Sequence, residues 1–416
     1  MNLSRKDLLK KLGGVVFSLM LLQLGFGTSF TQRSDDVSQS SKDINWDQRV
    51  DNLLEVSKGD IVLTAVGDMI FNREITGFPE PDYQNLYRIM REAKIAFGNL
   101  EMSLNEKPEL QRRLYNFRRG REFAWEIAKI GINLVGLANN HSLDYGKEGL
   151  KDCLLILKQS GIAYAGGGSN LAEARAPKIR TVGKTKFALL SFYSSDSVSS
   201  PNPKEPTIAT LKAPSVFLEK EKGDVKDIPA PLKSDVKAME DAISVAKRRA
   251  DIVMVAFHLH WVRHSRAYPI PNKVPPNQTL VVHKAIDAGA DIILGSGPHV
   301  LRGIEIYKGK FIFYSLGNFI YQYKTPEIPL IFWKRDEQQD IREEFETIVP
   351  RITIREKNIQ KIELIPVTLD MKGSRYGCPK LANDKRGKEI IELLQKLSQK
   401  YKTKIIYRDW YGIVEM

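Results

Sequence analysis

The chain has 416 residues, and its 63 Lys and Arg against 50 Asp and Glu give a formal net charge of +13. This length exceeds the size at which one hydrophobic core stops growing, so one large domain with extensions, or two domains, is expected. Two cysteines exclude a disulfide framework and a cysteine-based zinc site, and basic residues are not interleaved with aromatic ones, so an anionic partner other than nucleic acid is expected.

The first 30 residues have the order of charged and apolar residues found in export signals. A positively charged segment containing Arg5 and Lys6 precedes the apolar run Val15–Leu24, which is short for a membrane span. The charged segment resembles a twin-arginine signal with Lys6 in place of the second arginine. We expect residues 1–30 to be a signal peptide or a membrane anchor that gives an extracytoplasmic location, and residues 31–58 to be a polar linker.

Strand-like and helix-like segments alternate from about residue 59, which is typical of α/β layers. Apolar residues at helical spacing predict helices over Gly146–Ser160, Ser234–Ala250, Thr279–Ala288 and Gly387–Lys400. Further strands are predicted over Ile304–Tyr307, Lys310–Leu316, Thr347–Ile354 and Lys361–Thr368. The main domain is therefore placed at residues 59–370, with a C-terminal helical extension over residues 371–416 that packs on the core.

Five strand-like runs end in side chains of the kinds that bind metal ions. The runs are Ile61–Val66, Lys94–Phe97, Ile132–Ala138, Ile252–Phe257 and Asp291–Leu294, and the residues that follow them include Asp68, Asn99, Glu101, Asn139, Asn140, His141, His258, His260 and His299. Four of the six histidines lie in these motifs. Because α/β folds place ligands beyond the carboxyl ends of their strands, a shared metal site is predicted.

Each motif taken alone has a simpler explanation. A carboxylate such as Asp68 or Glu101 could cap a turn or a helix, although a buried one must face a cation or a cluster of hydrogen-bond donors. His258 and His260 are two residues apart, so in strand geometry both point to one face and could bind one metal. Together the ordered motifs suggest a two-metal hydrolytic centre in which Asn140 can bind through its amide oxygen and His141 can stabilise or protonate a departing oxygen.

Several of these segments resemble the CapA family of capsule and poly-γ-glutamate biosynthesis proteins, which has a calcineurin-like metallophosphoesterase fold. The resemblance covers about residues 60 to 367. It rests on the segments Val66–Met69, Gly98–Glu101, Asn139–Gly146, His258–Trp261, Gly297–Val300 and Lys310–Phe319.

The resemblance implies a four-layer α/β/β/α sandwich of two mixed sheets with a metal site at their shared edge. It implies metal ligands at Asp68, Glu101, Asn140, His258, His260 and His299, and a catalytic His141. We expect Asn99, Asn139, Asp144 and Asn318 to support this site. The implied cofactor is one or two divalent ions of Mn, Zn or Fe.

Three motifs depart from the pattern of metallophosphoesterases. Asp68 is followed by Met69 and Ile70 where the pattern has a second ligand, and Ser296 and Gly297 stand where an earlier histidine occurs. The segment after Trp261 also lacks the usual glycine and acid.

The predicted function is therefore that of an extracytoplasmic protein of capsule or poly-γ-glutamate-type polymer biosynthesis with a phosphoesterase-like, metal-dependent site. The alternative is a non-catalytic accessory or polymer-binding subunit of a membrane-bound polymer synthase. Either function fits an anionic substrate or an acidic polymer, with synthase subunits as partners.

Overall fold

A computed structural model of the protein describes residues 44–106, 117–195, 202–213, 231–259, 272–322 and 340–416. The predicted leader and His260 lie outside these residues. Within them, no helix is both long and apolar enough to cross a bilayer.

The helices of the described residues are α1 (Trp46–Leu54), α2 (Pro81–Glu92), α3 (Glu122–Lys129), α4 (Gly146–Gln159), α5 (Leu171–Arg175), α6 (Lys233–Arg249), α7 (Pro276–Asp287), α8 (Asp340–Glu343) and α9 (Asp384–Ser398). Short 3-10 helices occur at Gly373–Arg375 and Gln399–Tyr401. The four predicted helices are confirmed as α4, α6, α7 and α9, with small shifts at their ends.

The strands of the first half are β1 (Ile61–Ile70), β2 (Ile95–Leu100), β3 (Ser103–Leu104), β4 (Arg118–Arg119), β5 (Leu134–Gly136), β6 (Ala163–Ala165), β7 (Gly167–Gly168), β8 (Lys178–Val182), β9 (Thr185–Ser195), β10 (Thr207–Ile208) and β11 (Thr210–Lys212). Those of the second half are β12 (Ile252–Leu259), β13 (Ile292–Ser296), β14 (Ile304–Tyr307), β15 (Lys310–Phe313), β16 (Asn318–Tyr321), β17 (Glu346–Arg355), β18 (Asn358–Leu369), β19 (Pro379–Leu381), β20 (Ile405–Arg408) and β21 (Tyr411–Val414).

These strands form two large mixed sheets. The first has the order β20-β21-β18-β17-β1-β2-β5-β6, and β16 and β19 join it at β1 and β18. The second has the order β11-β9-β12-β13-β15-β14, and β8 joins it at β9. In the first sheet one half, from β1 to β6, is parallel and the other half, from β17 to β20, is antiparallel. In the second sheet the strands from β11 to β15 are parallel, and β8 and β14 are antiparallel to their neighbours. Strand β1 has nine buried residues in succession, as expected for a strand covered on both faces.

Three apolar cores separate four layers. The first core lies between helices α1 to α4 and the first sheet, and contains Tyr87 and Leu150. The second lies between the sheets, where Phe97 and Met254 belong to one cluster. The third, with Met239 and Val281, lies between the second sheet and helices α6 and α7. The predicted α/β/β/α sandwich of two mixed sheets is confirmed.

Helix α1 lies inside the stretch that the sequence indicated to be a polar linker. Trp46, Val50 and Leu53 are buried, and the ring of Trp46 meets that of Trp410 edge to face at 5.4 Å. The side chain of Asn45 caps the helix by accepting a hydrogen bond from Gln48 N at 3.1 Å. The linker prediction is therefore wrong for residues 46–54, because three apolar residues on one face of a short helix are enough to bury it.

Val50→Ala is expected to lower the free energy of unfolding by about 2 kcal/mol, since two buried methyl groups are lost and a cavity remains. Val50 is fully buried, whereas Val56, just after the helix, is 46% exposed. Val56→Ala is the matched control and should change stability by less than about 0.5 kcal/mol. Urea unfolding of both variants measures the difference, and equal effects would mean that α1 does not stabilise the domain.

The C-terminal 46 residues contribute more than the predicted helix. Strands β19 and β21 both pair with β18, and β20 extends the first sheet through β21. Helix α9 adds Ile390, Ile391 and Leu394 to the core between the sheets. The segment is thus continuous with the main sheet, which the sequence did not indicate because these strands are three or four residues long.

Candidate metal centre

The carboxyl ends of strands from both sheets meet at one place. Asp68 on β1 is in register with Asn99 on β2 and with Asn318 on β16. In the second sheet His258 on β12 is in register with Ser296 on β13. Nδ1 of His258 lies 3.1 Å from Nδ2 of Asn99, so the two sheets contact each other at these strand ends.

Glycines allow the backbone segments to approach this closely. A Cβ at Gly67 would lie 1.9 Å from the carbonyl oxygen of Gly317, the same oxygen that accepts a hydrogen bond from Asp68 N at 3.0 Å. A Cβ at Gly295 would lie 2.3 Å from the carbonyl oxygen of Tyr314. Both positions therefore require glycine for the strand ends to converge.

Glu101 lies at the middle of the site and is fully buried. Neither of its carboxylate oxygens receives a hydrogen bond from the described residues. Oε1 lies 3.4 Å from Nε2 of His258 and 3.9 Å from Nε2 of His141, whereas Oε2 lies 3.9 Å from Nδ1 of His299. A buried carboxylate without hydrogen-bond donors is unfavourable unless a cation faces it. Oε1 of Glu101 therefore faces His258 and His141, whereas Oε2 faces His299.

Asp68 is fully buried on the other side of the same group. Its Oδ1 accepts a hydrogen bond from Asn99 Nδ2 at 2.7 Å, and its Oδ2 accepts one from Gly297 N at 3.1 Å. The imidazoles of His258 and His299 lie 3.5 and 3.4 Å from its two oxygens. The backbone donor at Gly297 thus orients a carboxylate that lies against both histidines.

His258 is held from two directions. Nδ1 lies 2.9 Å from Oγ of Ser296, and Nε2 lies 2.7 Å from Oδ1 of Asn140. Asn140 and Glu101 therefore meet at the same ring nitrogen, as expected if all three belonged to one metal site.

His299 has a left-handed backbone conformation, with φ of 61°. Nδ2 of Asn318 donates to the carbonyl oxygens of His299 and Glu344 at 3.1 and 3.0 Å, so Oδ1 of Asn318 is the acceptor that faces Nδ1 of His299 at 2.8 Å. The proton of His299 is thereby placed on Nδ1, which puts the lone pair of the neutral ring on Nε2.

His141 lies on the loop after β5 beside Glu101. Its Nδ1 is 2.7 Å from Oδ2 of Asp144, and the ring of Phe117 packs edge to face against it at 4.6 Å. Asn139 is fully buried, accepts a hydrogen bond from His141 N at 3.1 Å and donates to the carbonyl oxygen of Leu100 at 2.8 Å. The loop is therefore fixed to the end of β2.

The charges of this group shift the pKa values of its members. Burial opposes protonation of His258, but the charges of Glu101 and Asp68 outweigh it and raise the pKa of His258 to about 9. The same balance raises the pKa of His299 to about 10. Burial also disfavours ionised Asp68, yet the two histidines hold the pKa of that carboxyl well below its usual range. Without metal, the two imidazoles supply the positive charge that balances the carboxylates.

The donor set fits a divalent metal ion. Ligand atoms of Asp68, Glu101 and His258 all lie within 4.8 Å of one another, and all three residues are buried. Two carboxylates with imidazoles and an amide oxygen are hard-to-borderline ligands of divalent metals. Hydrogen bonds and close contacts connect every predicted site residue except His260, which lies outside the described residues. The individual roles of these residues stay predictions.

Comparison with known proteins identifies the family. Residues 62–323 match the family model described as bacterial capsule synthesis protein PGA_cap. The chain belongs to this family. The matched range contains all of the predicted ligands and His141, which is predicted to be catalytic.

Relatives of this PGA_cap chain include proteins with capsule-related names. The capsule biosynthesis protein CapA of Bacillus anthracis is 29% identical over 66% of this chain and 64% of its own length. The PGA biosynthesis protein CapA of Bacillus subtilis is 30% identical over 63% of this chain and 64% of its own length. The uncharacterized protein y4sH of Sinorhizobium fredii is 28% identical over 85% of this chain and 93% of its own length. Among solved structures, a putative 5'-nucleotidase from Staphylococcus aureus has a TM-score of 0.39 at 14% identity, covering 81% of this chain and 58% of that chain.

Two departures from the metallophosphoesterase pattern have a structural explanation in this PGA_cap protein. Ser296 contacts Nδ1 of His258, and Gly297 N donates to Asp68, so both positions serve the site without being histidine. Ile70, by contrast, is buried in the core between the first sheet and its helices. No ligand replaces the one absent after Asp68 at this position.

Sequence reasoning missed Ser296 and Phe117 as site residues. Ser296 was identified from the sequence only as a position where the metallophosphoesterase pattern has a histidine. Phe117 carries no motif, and its backbone N donates to Oδ2 of Asp144 at 3.2 Å. Only the pairing of β3 with β4 brings it to His141, and that pairing is not indicated by the sequence.

Proposed function

We propose that this PGA_cap protein is a metal-dependent, phosphoesterase-like hydrolase that acts outside the cytoplasmic membrane in the biosynthesis of a capsule or poly-γ-glutamate-type polymer. The observation that carries the proposal is the buried Glu101 carboxylate, whose two oxygens receive no hydrogen bond from the described residues and face separate imidazoles. This arrangement suits a carboxylate shared by two divalent ions.

Asp68 and His299 would hold one ion, Asn140 and His258 would hold the other, and Glu101 would bridge them. His260 is the further predicted ligand of the second ion. Ions of Mn, Zn or Fe match these nitrogen and oxygen ligands, and one or two would be bound. When bound, the metal supplies a Lewis acid and acidifies a coordinated water.

His141 acts on the departing oxygen. Asp144 accepts the Nδ1 proton of His141 and orients the ring, and Phe117 packs against one edge, so Nε2 is directed toward the side of Glu101. The side chain of His141 is 12% exposed while that of Glu101 is fully buried, so a substrate can reach His141 from solvent. When both ring nitrogens carry a proton, His141 can give the Nε2 proton to the leaving oxygen and keep the Nδ1 proton that is directed at Asp144.

His141→Ala is expected to abolish hydrolysis of phosphomonoesters by the full chain while the bound metal stays the same, because His141 is not a ligand in this proposal. The matched control is His283→Ala, since His283 pairs with Glu305 and stacks on Tyr307 away from the site. Elemental analysis and turnover are measured on both variants. Wild-type protein that holds metal yet hydrolyses no phosphoester would overturn the enzymatic proposal.

The extracytoplasmic part of the proposal is supported by the leader, in which Arg5 and Lys6 precede the apolar run Val15–Leu24. The full chain is expected in the membrane or exported fraction, and a chain lacking residues 1–30 in the cytoplasmic fraction. Fractionation followed by immunodetection measures this. Identical distributions of the two chains would remove the leader as the cause of export.

A non-catalytic accessory function is the second candidate. It is favoured by a relative from Mycobacterium tuberculosis, 32% identical over 46% of both chains, that is named a probable polyglutamine synthesis accessory protein. The net charge of +13 also suits an acidic polymer. Complementation of a deletion strain separates the two functions. His141→Ala protein that restores extracellular polyanion would favour the accessory function.

A further inference from the structure

Two adjacent arginines lie next to the candidate metal centre. Arg118 and Arg119 form β4, which pairs in parallel with β3. Strand β3 begins at Ser103, only two residues after Glu101. The pairing is closed by hydrogen bonds from Ser103 N to Phe117 O at 3.0 Å and from Asn105 N to Arg119 O at 2.9 Å. The backbone that leaves the metal centre therefore fixes the position of both arginines.

Arg118 lies against the loop that carries His141. Its guanidinium is 5.9 Å from the ring centroid of Tyr145, the residue after Asp144. Phe117, the residue before Arg118, packs on the ring of His141 and donates its backbone N–H to Asp144. A planar guanidinium stacked on an aromatic ring keeps a fixed orientation. The guanidinium of Arg118 is thus held against the loop that carries His141.

Neither arginine of β4 forms an ion pair with a described carboxylate, although Glu106 and Glu122 lie near enough to interact with them through charge. Arg119 donates to the carbonyl oxygen of Asn72 at 2.8 and 3.1 Å, and burial and the charge of Arg118 lower the pKa of Arg119. Two half-buried like charges side by side favour binding of an anion.

The two guanidinium groups differ in the donors that they offer. Arg119 uses Nε, Nη1 and Nη2 in hydrogen bonds to Asn72 and to the carbonyl oxygen of Arg118. Arg118 donates from Nη1 to the carbonyl oxygen of Asn105 at 2.9 Å and also interacts with the side chain of Tyr145, so several donors of its five-donor fork have no acceptor among the described residues. Arg118 is therefore the anion-binding residue, and Arg119 adds positive charge.

We propose that Arg118 binds a second anionic group, a carboxylate or a phosphate, of a substrate whose phosphoryl group lies at the candidate metal centre. The proposal rests on the proposed function for the phosphoryl half of the substrate. Arg118 would favour phosphoesters that carry another acidic group over those that do not, because its guanidinium fork binds such groups through two parallel hydrogen bonds.

Matched substrate pairs test this with the full, Mn²⁺-loaded chain. The ratio of kcat/KM for 3-phosphoglycerate over glycerol 3-phosphate reports on a carboxylate, and that for fructose 1,6-bisphosphate over fructose 6-phosphate reports on a phosphate. One of the two ratios is expected to be about tenfold or more in wild type. This factor corresponds to the free energy that one charge-assisted hydrogen bond contributes. Arg118→Gln should bring that ratio close to one through KM, and Arg118→Lys, which keeps the charge but not the fork, should give an intermediate ratio.

Arg121→Gln is the matched control, because Arg121 is exposed and pairs with Glu106. It should retain the wild-type ratio. Both wild-type ratios near one, or a preference that survives Arg118→Gln, would overturn the role of Arg118 even if phosphoesters are hydrolysed. If nothing is hydrolysed, calorimetric binding of the same four compounds replaces kcat/KM. A binding preference that Arg118→Gln removes would then support Arg118 while the proposed hydrolase function fails.

Discussion

Replacement of Glu101 by Gln is expected to weaken binding of Mn²⁺ or Zn²⁺ by more than about 100-fold, since even an outer partner of a metal ligand contributes 10- to 100-fold. The amide keeps the shape of the side chain but loses the negative charge and one acceptor oxygen. In wild type, metal at 100 times its Kd should stabilise the fold by about 2.7 kcal/mol, and this gain should disappear in the variant. Thermal unfolding with and without metal measures the difference.

The stoichiometry of the variants tests whether Glu101 bridges two ions. Glu101→Gln should lose every equivalent that wild type binds, whereas His299→Ala should lose one of two, because His299 faces only Oε2 of Glu101. Glu92→Gln, the same change at an exposed helix residue, is the control and should keep full metal content. Full metal content in Glu101→Gln would remove Glu101 from the ligand set.

Glu363→Leu is expected to lower the free energy of unfolding by about 3–5 kcal/mol, the usual effect of leaving one partner of a buried ion pair alone. Arg351 on β17 and Glu363 on β18 are in register, and both side chains are 2% exposed. Nε of Arg351 already lacks a hydrogen-bond partner among the described residues. Loss of Glu363 would leave a buried guanidinium without a counter-ion.

The double variant Arg351→Met with Glu363→Leu separates the charge from the packing. It should recover most of the lost stability, because apolar residues of similar volume often replace a buried pair without a net loss. Lys361 also lies 2.5 Å from Glu363 but is 44% exposed, so its charge stays solvated in either variant. Unfolding of the wild type and both variants in guanidinium chloride gives the comparison. A double variant as unstable as Glu363→Leu would mean that the pair itself stabilises the sheet.

Much of the candidate site could be predicted from sequence because it depends on local patterns. Buried apolar runs predicted β1, β12 and β13, and the polar residues that follow them had to lie at the same edge of parallel sheets. Asp68, Asn140, His141, His258 and His299 were found in this way. Helices α4, α6, α7 and α9 were likewise indicated by apolar residues at helical spacing.

The rest depended on contacts between residues far apart in the chain. The burial of α1, the pairing of β20 and β21 with the main sheet, and the position of Phe117 beside His141 all require partners that a local pattern does not contain. The sequence by itself determined the fold class and which residue types stand at the strand ends, because periodicity is a local property of the chain. Only the tertiary structure decided that the two oxygens of Glu101 face different histidines, because that geometry arises where two separate sheets pack together.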